Sequence, residues 1–231
     1  MTALIVDTTD GITLVGGAPF AARTLEMALK RAPVLVAADG GADRALSAGR
    51  MPQAVVGDFD SISDTARQAI PAERQFPIAE QETTDFDKAL RSTRSPFVLA
   101  LGFVGARVDH GLAVFSTLAR HPDRTCLVIG GQDVVFLCPR GIRLRLEPGD
   151  RFSLFPLGEV SGQSTGLRWP IDGLAFAPHG IIGTSNEVSA PDVTLELDAP
   201  RMLAILPRRR LDRVLSALLP QWRLPRADGG R

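Results

Sequence analysis

A change of rhythm near residue 140 constrains this chain more than any other feature. Up to about Cys138, short continuous apolar runs alternate with segments of helical period. The runs in "PVLVAADGG", "AVVGDFD", "FVLALG" and "RTCLVIGG" lack a polar face, as expected of strands covered on both sides. "ARTLEMALKRA" places Leu25, Ala28 and Leu29 at helical spacing. "ADRALSAG", "SDTARQAI" and "DHGLAVFSTLARH" read as further helices, and "TTDFDKALRST" as one opened by a threonine cap. Strands joined by crossover helices build a largely parallel sheet. From Arg140 onward "IRLRLE" alternates strictly. "RFSLFPL", "GLRWPI", "DVTLELD" and "MLAILP" follow between Gly, Pro, Asn and Asp, and helical period returns only in "LDRVLSALLPQW". The expected fold is α/β: an N-terminal, mostly parallel sheet with helices on both faces, plus a C-terminal all-β sandwich or partial barrel. The expected domains are 1–139 and 140–231, with the boundary between Pro139 and Arg145.

Charge excludes some partners. Lys plus Arg equals Asp plus Glu at 26 each, so no global basic field recruits nucleic acid or an anionic membrane. The run Arg208–Arg210 reads as a solvated helix start. Cys126 and Cys138 lie in apolar runs and read as buried thiols. No segment reads as a signal peptide. No apolar run approaches the roughly 18 residues that span a bilayer, and the cytoplasm is the expected location. The closing "RADGGR" reads as a frayed tail.

In an open parallel sheet, ligands gather beyond the carboxyl ends of the strands. Here "TLV" is followed by Gly16 and Gly17, and "LVAA" by Asp39, Gly40 and Gly41. "AVV" is followed by Gly57, Asp58, Phe59, Asp60 and Ser61, and "LALG" by a loop holding Arg107, Asp109 and His110. The helix starting near Thr84 adds Asp85 and Asp87, with Lys88 one turn on. Glycines let a ligand approach backbone N–H groups, and helix N-termini favour phosphate. Carboxylates repel phosphate. The two coexist most naturally around a divalent cation, and Mg²⁺ suits hard oxygen ligands. In extended backbone Asp58 and Asp60 would point to the same side. Each residue also has a plainer reading. Asp58, Asp60 and Asp39 could form turns or caps, and Asp85 could complement a helix dipole. His110 could be a cap or core residue, and Lys88 a surface partner of Asp85. Their recurrence on one sheet edge is what suggests a site.

Four segments then stand in a specific order: "AADGGADRAL", "VVGDFDSIS", "QETTDFDKAL" and "GFVGARVDHGLA". With "STGLRWPI" and "GTSNE" in the β half, they resemble the thiamine pyrophosphokinase family over most of the chain. The resemblance implies an α/β domain, a β-sandwich and a homodimer with sites between subunits. It implies transfer of pyrophosphate from ATP to the hydroxyl of thiamine, giving thiamine diphosphate and AMP. By position it implies Asp58, Asp60 and Asp85 as Mg²⁺ ligands. Asp39, Gly40, Gly41, Lys88, Arg107, Asp109 and the adjacent His110 would surround ATP. Trp169 would stack on thiamine from the partner subunit, where a thiazolium gains about 1–2 kcal/mol from an aromatic face. Ser185 and Asn186 would line the nucleotide or thiamine pocket. One departure is Val114, where the family often carries a polar Asn. The segment "VDTTDG" matches no family element.

On this reading Lys88 and Arg107 add positive charge at the phosphates, and Asp109 orients the hydroxyl or accepts its proton. Two other readings stay open: a nucleotide-dependent phosphotransferase acting on another small alcohol, which would not need Trp169, and a non-catalytic thiamine or nucleotide sensor, which would bind without releasing AMP.

Overall fold

The computed structural model describes residues 4–105 and 107–222. They fall into two compact units. One is drawn from residues up to Leu118 with Cys126–Gly131, the other from Ala119–Thr125 and residues from Gln132 onward. The tail "RADGGR" lies outside the described residues.

Through the first unit the strands are β1 (Val6–Asp7), β2 (Ile12–Val15), β3 (Val34–Ala38), β4 (Ala54–Gly57), β5 (Gln75–Pro77), β6 (Thr93–Arg94), β7 (Val98–Leu101) and β8 (Cys126–Ile129). The helices are α1 (Ala22–Leu29), α2 (Gly41–Ser47), α3 (Asp64–Ala69), α4 (Asp85–Arg91) and α5 (Val108–Arg120). The order β8-β7-β2-β3-β4-β5 is parallel at every pairing. The chain lays β2 to β5 outward in one direction, then returns to place β7 on the other side of β2. That reversal puts the topological switch point between β2 and β7, where such sheets open a crevice. Every residue of β2, β3, β4, β7 and β8 is buried, which accounts for their unbroken apolar runs. The half-buried β5 carries no such signature. The segment "VDTTDG" supplies β1, which pairs with β6 outside the main sheet. Helix α3 is capped by Ser63, whose Oγ accepts from the Ala66 N–H at 3.1 Å. Thr84 caps α4, accepting from the Asp87 N–H at 3.4 Å.

The second unit contains β9 (Asp133–Cys138), β10 (Gly141–Arg145), β11 (Arg151–Pro156), β12 (Val160–Thr165), β13 (Ala175–Phe176), β14 (Gly183–Glu187), β15 (Asp192–Leu197), β16 (Met202–Pro207) and α6 (Leu211–Leu218). They form two antiparallel arrays, β14-β11-β16-β9 and β10-β15-β12-β13. Strand β10 alternates as expected, with Ile142 and Leu144 buried between exposed neighbours. Three details differ from the sequence reading. "GLRWPI" is not a strand but a bend with one isolated bridge, Leu167 to Val188. Gly166 at φ +75° makes that bend, where a Cβ would stand 2.3 Å from the Asp192 carbonyl oxygen. Second, β12 is a strand with polar sequence, "VSGQST". Third, Arg208–Arg210 is not simply solvated: Arg210 is buried, with Nε 2.6 Å from Asp150 Oδ2, and its guanidinium also pairs with Glu147. Cys126 and Cys138 are buried and not joined in a disulfide, and burial pushes the Cys138 thiol up to about 12. No described helix is long and apolar enough to cross a membrane.

Candidate active site

The carboxyl ends of β2, β3, β4 and β7 are brought close by glycines. A Cβ at Gly41 would lie 1.9 Å from the Val15 carbonyl oxygen, so α2 begins directly against the end of β2. A Cβ at Gly102 would lie 2.4 Å from the Gly16 carbonyl oxygen, and Gly102 sits at φ +73°. The Gly16 and Ala18 N–H groups donate to Leu101 and Gly102, closing the β2 and β7 ends together. Phe103 then meets Phe86 of α4 with ring centroids 4.7 Å apart.

Beside this crevice the structure gathers Asp39, Asp58, Asp60, Asp85 and Lys88. Asp39 takes a left-handed φ of +43°, and its carboxylate accepts from the N–H groups of Ser61 (2.9 Å) and Ile62 (3.2 Å). Asp39 thereby pins the loop that carries Asp58 and Asp60. That loop is not extended. Phe59 also lies at a left-handed φ, +66°, and the Asp60 N–H approaches Asp58 Oδ1 at 3.4 Å. A non-glycine residue there costs on the order of 1–2 kcal/mol. The Phe59 ring offsets this by packing on the cluster of Ala37, Ala42, Val55, Ile62, Ala66 and Ile70. An apolar plug between the two acids therefore replaces the simple strand alternation expected from sequence.

Oxygens of Asp39, Asp58 and Asp60 all lie within 4.8 Å of one another. Asp85 joins through Lys88, whose Nζ is 3.0 Å from Asp58 Oδ2 and 3.1 Å from Asp85 Oδ1. The Lys88 side chain is only 1% exposed. A Cβ at Gly57 would stand 2.8 Å from the Asp39 Cβ and 3.1 Å from Asp85 Oδ1, so only glycine fits beneath these acids. Gln81, which sequence reasoning quoted within a motif but did not single out, donates from Nε2 to Asp58 Oδ2 at 3.0 Å.

Lys88 thus pairs with two of the four carboxylates, and the pKa values of Asp39, Asp58 and Asp85 record the crowding. Burial, opposed by the Ser61 N–H and aided by the charges of Asp85 and Asp60, pushes Asp39 up to about 6. Burial also raises Asp85 despite Lys88. Burial opposes ionisation of Asp58 too, but the Lys88 hydrogen bond and charge more than offset it, leaving that acid below its ordinary value. For Lys88 the same two acids overcome burial and hold the ammonium above its usual range. A site of hard oxygens short of positive charge fits a divalent cation.

Arg107 and Asp109 stand at the start of α5 and pair with each other, Nε to Oδ1 at 3.2 Å and Nη2 to Oδ2 at 2.6 Å. The Arg107 hydrogen bonds, then the His110 N–H, bring Asp109 down to about 2. His110 is exposed, whereas Val114 is buried. In the second unit Trp169 is 53% exposed, with the Arg168 guanidinium 4.9 Å from its ring centroid. Asn186 is buried. The amide grips the Trp169 backbone, Nδ2 donating to its carbonyl at 2.7 Å and Oδ1 accepting from its N–H at 3.2 Å. Ser185, at φ +61°, donates its N–H to Ser153 Oγ at 3.0 Å.

Fold and site define an α/β protein of the nucleotide-handling kind, extended by an antiparallel β unit. A family model described as "Thiamin pyrophosphokinase, catalytic domain" matches residues 25–129, and one described as "Thiamin pyrophosphokinase, vitamin B1 binding domain" matches residues 141–202. The chain belongs to the thiamine pyrophosphokinase family and is an enzyme of that family. It is 29% identical over 203 residues to Thiamine pyrophosphokinase 1 of Oryza sativa subsp. japonica, covering 73% of this chain and 77% of that protein. It is 27% identical over 198 residues to Thiamin pyrophosphokinase 1 of Caenorhabditis elegans, covering 76% and 79%. In fold it is similar to the thiamin pyrophosphokinase of Candida albicans, with a TM-score of 0.73 at 16% identity over 87% of this chain and 91% of that one.

Proposed function

We propose that this chain transfers pyrophosphate from ATP to the hydroxyl of thiamine, releasing AMP, with Mg²⁺ held by Asp58, Asp60 and Asp85 and by Asp39 beside them. The observation that carries this reading is the clustering of Asp39, Asp58 and Asp60 oxygens at the strand ends, with the buried Lys88 linking Asp58 to Asp85. Mg²⁺ bound there would neutralise charge on the transferring phosphates. The chain's own contribution is alignment. Gly16, Gly41 and Gly102 let the ends of β2 and β7 and the start of α2 close together, and Lys88 bridges Asp58 and Asp85. Asp109, paired with Arg107 at the start of α5, would hold that guanidinium toward the nucleotide and could orient the thiamine hydroxyl.

We read the two antiparallel arrays as a sandwich that presents Trp169 to the thiazolium. Asn186 holds the backbone beneath the indole, and Ser185 shapes the adjoining strand. In this reading the protein is a cytoplasmic homodimer, and Trp169 comes from the partner subunit. The test is direct: purified protein with ATP, Mg²⁺ and thiamine, following AMP. Thiamine-dependent AMP release that stops on chelation is the expected result. Equal AMP release without thiamine would overturn the reading.

A further inference from the structure

We propose that Glu80 and Arg91 form a positioning clamp that aims Gln81 at Asp58 and thereby sets the affinity of the carboxylate cluster for its divalent cation. This rests on the reading of Asp58 as a metal ligand. The segment from β5 to α4 is fixed at one end by the Ile78 N–H, which donates to the Gly57 carbonyl at 2.7 Å. Beyond that, Glu80 folds the chain onto itself. Its carboxylate accepts from the N–H groups of Glu82 (2.8 Å) and Thr83 (3.1 Å) and from the Thr83 hydroxyl. Arg91, in the last turn of α4, locks this turn from outside. Its Nη2 lies 2.8 Å from Glu80 Oε1, its Nη1 lies 3.2 Å from Thr83 Oγ1, and the same Nη1 is 3.5 Å from Asp87 Oδ2.

Gln81 sits between Glu80 and Glu82 and is itself exposed, so its own surroundings do little to hold the side chain. Its direction toward Asp58 is inherited from the backbone of the turn. A planar guanidinium that bonds two residues at once fixes that backbone in a way a point charge does not. The chain of dependence is Arg91 to Glu80, Glu80 to the turn, the turn to Gln81, and Gln81 to Asp58 Oδ2.

The experiment uses the full-length protein and variants R91K, E80Q, Q81A and R91K/Q81A. Mn²⁺ affinity is measured by calorimetric titration, thermal melting is recorded, and kcat and KM are measured against Mg²⁺, ATP and thiamine. R91K and E80Q should each weaken Mn²⁺ binding roughly 3- to 10-fold, the scale of coupling within one hydrogen-bond network. The Mg²⁺ concentration at half-maximal rate should rise by the same factor. The KM for thiamine should stay unchanged. Q81A should match them, and R91K should add little in the Q81A background. Variants that melt earlier yet bind Mn²⁺ like the parent would overturn the clamp, as would full additivity of R91K and Q81A. D58N separates the two claims. Parent-like Mn²⁺ binding in D58N would remove the metal reading itself. Loss of binding in D58N with an unchanged R91K would remove only the clamp.

Discussion

The two units solve the problem of holding a site in opposite ways. In the first, side chains far apart in sequence converge, and mutual charge decides their state. Asp39, Asp58, Asp85 and Lys88 come from the ends of β3 and β4 and from α4, and each shifts another's ionisation: Lys88 lowers Asp58, Asp85 raises Asp39, and Asp58 and Asp85 together raise Lys88. In the second, one exposed indole is set by its own backbone, gripped by a single asparagine 17 residues on. A converging electrostatic site is sensitive to any shift in any element. A locally clamped platform tolerates remote change and fails only when its clamp or ring is removed.

The largest expected effect tests the first half of this contrast. D58N, D60N and D85N should each lower the rate of AMP release by roughly 100- to 1,000-fold, the scale for losing one preorganised charge-stabilising group. Thermal melts should show the variants still folded. Next comes G57A, which adds only a methyl group, yet that group collides with Asp39 and crowds Asp85. A displacement of that size should cost about 100-fold in kcat, measured with Mg²⁺ saturating. On the other side, W169A should raise the KM for thiamine about 5- to 30-fold, equivalent to about 1–2 kcal/mol of lost cation–π attraction. Its KM for ATP should not move. N186A should produce a smaller rise in the same constant, because the ring survives and only its mounting loosens. If W169A instead altered the ATP constant, the division of labour between the units would be wrong.

The smallest effect is one of pH and stability. In the second unit Asp150 is buried, yet the Arg210 hydrogen bond and the Glu147 N–H overcome that burial and hold its carboxyl below the ordinary value. A depressed acid stabilises the fold fully above its unfolded pKa, about 3.9. That contribution disappears as pH falls through the lower folded value. The loss of melting temperature on acidification below about pH 4 should therefore be smaller in D150N than in the parent, read as the difference between the two proteins at each pH.

Much of this was legible because burial writes itself into sequence. The five strands β2, β3, β4, β7 and β8 read correctly since both their faces are covered. Thr84 marks a helix start through its capping hydroxyl. Other features depend on tertiary contact and leave no local trace. The polar strand β12 is held by its pairing with β15 rather than by an apolar face. The bend at Trp169 imitates a strand because its apolar residues happen to alternate. Asn186 and Gln81 gain their meaning from partners 17 and 23 residues away. The left-handed turn at Phe59 is legible only when the cluster that receives its ring is known.

The contact between Gly41 and the Val15 carbonyl has a mechanical consequence. With no side chain as cushion, the first turn of α2 and the tip of β2 form a single rigid joint. Pressure from a bound molecule on either glycine pair would be felt at the other within the same displacement, so the pocket floor would respond as one plate and not as two independently yielding loops.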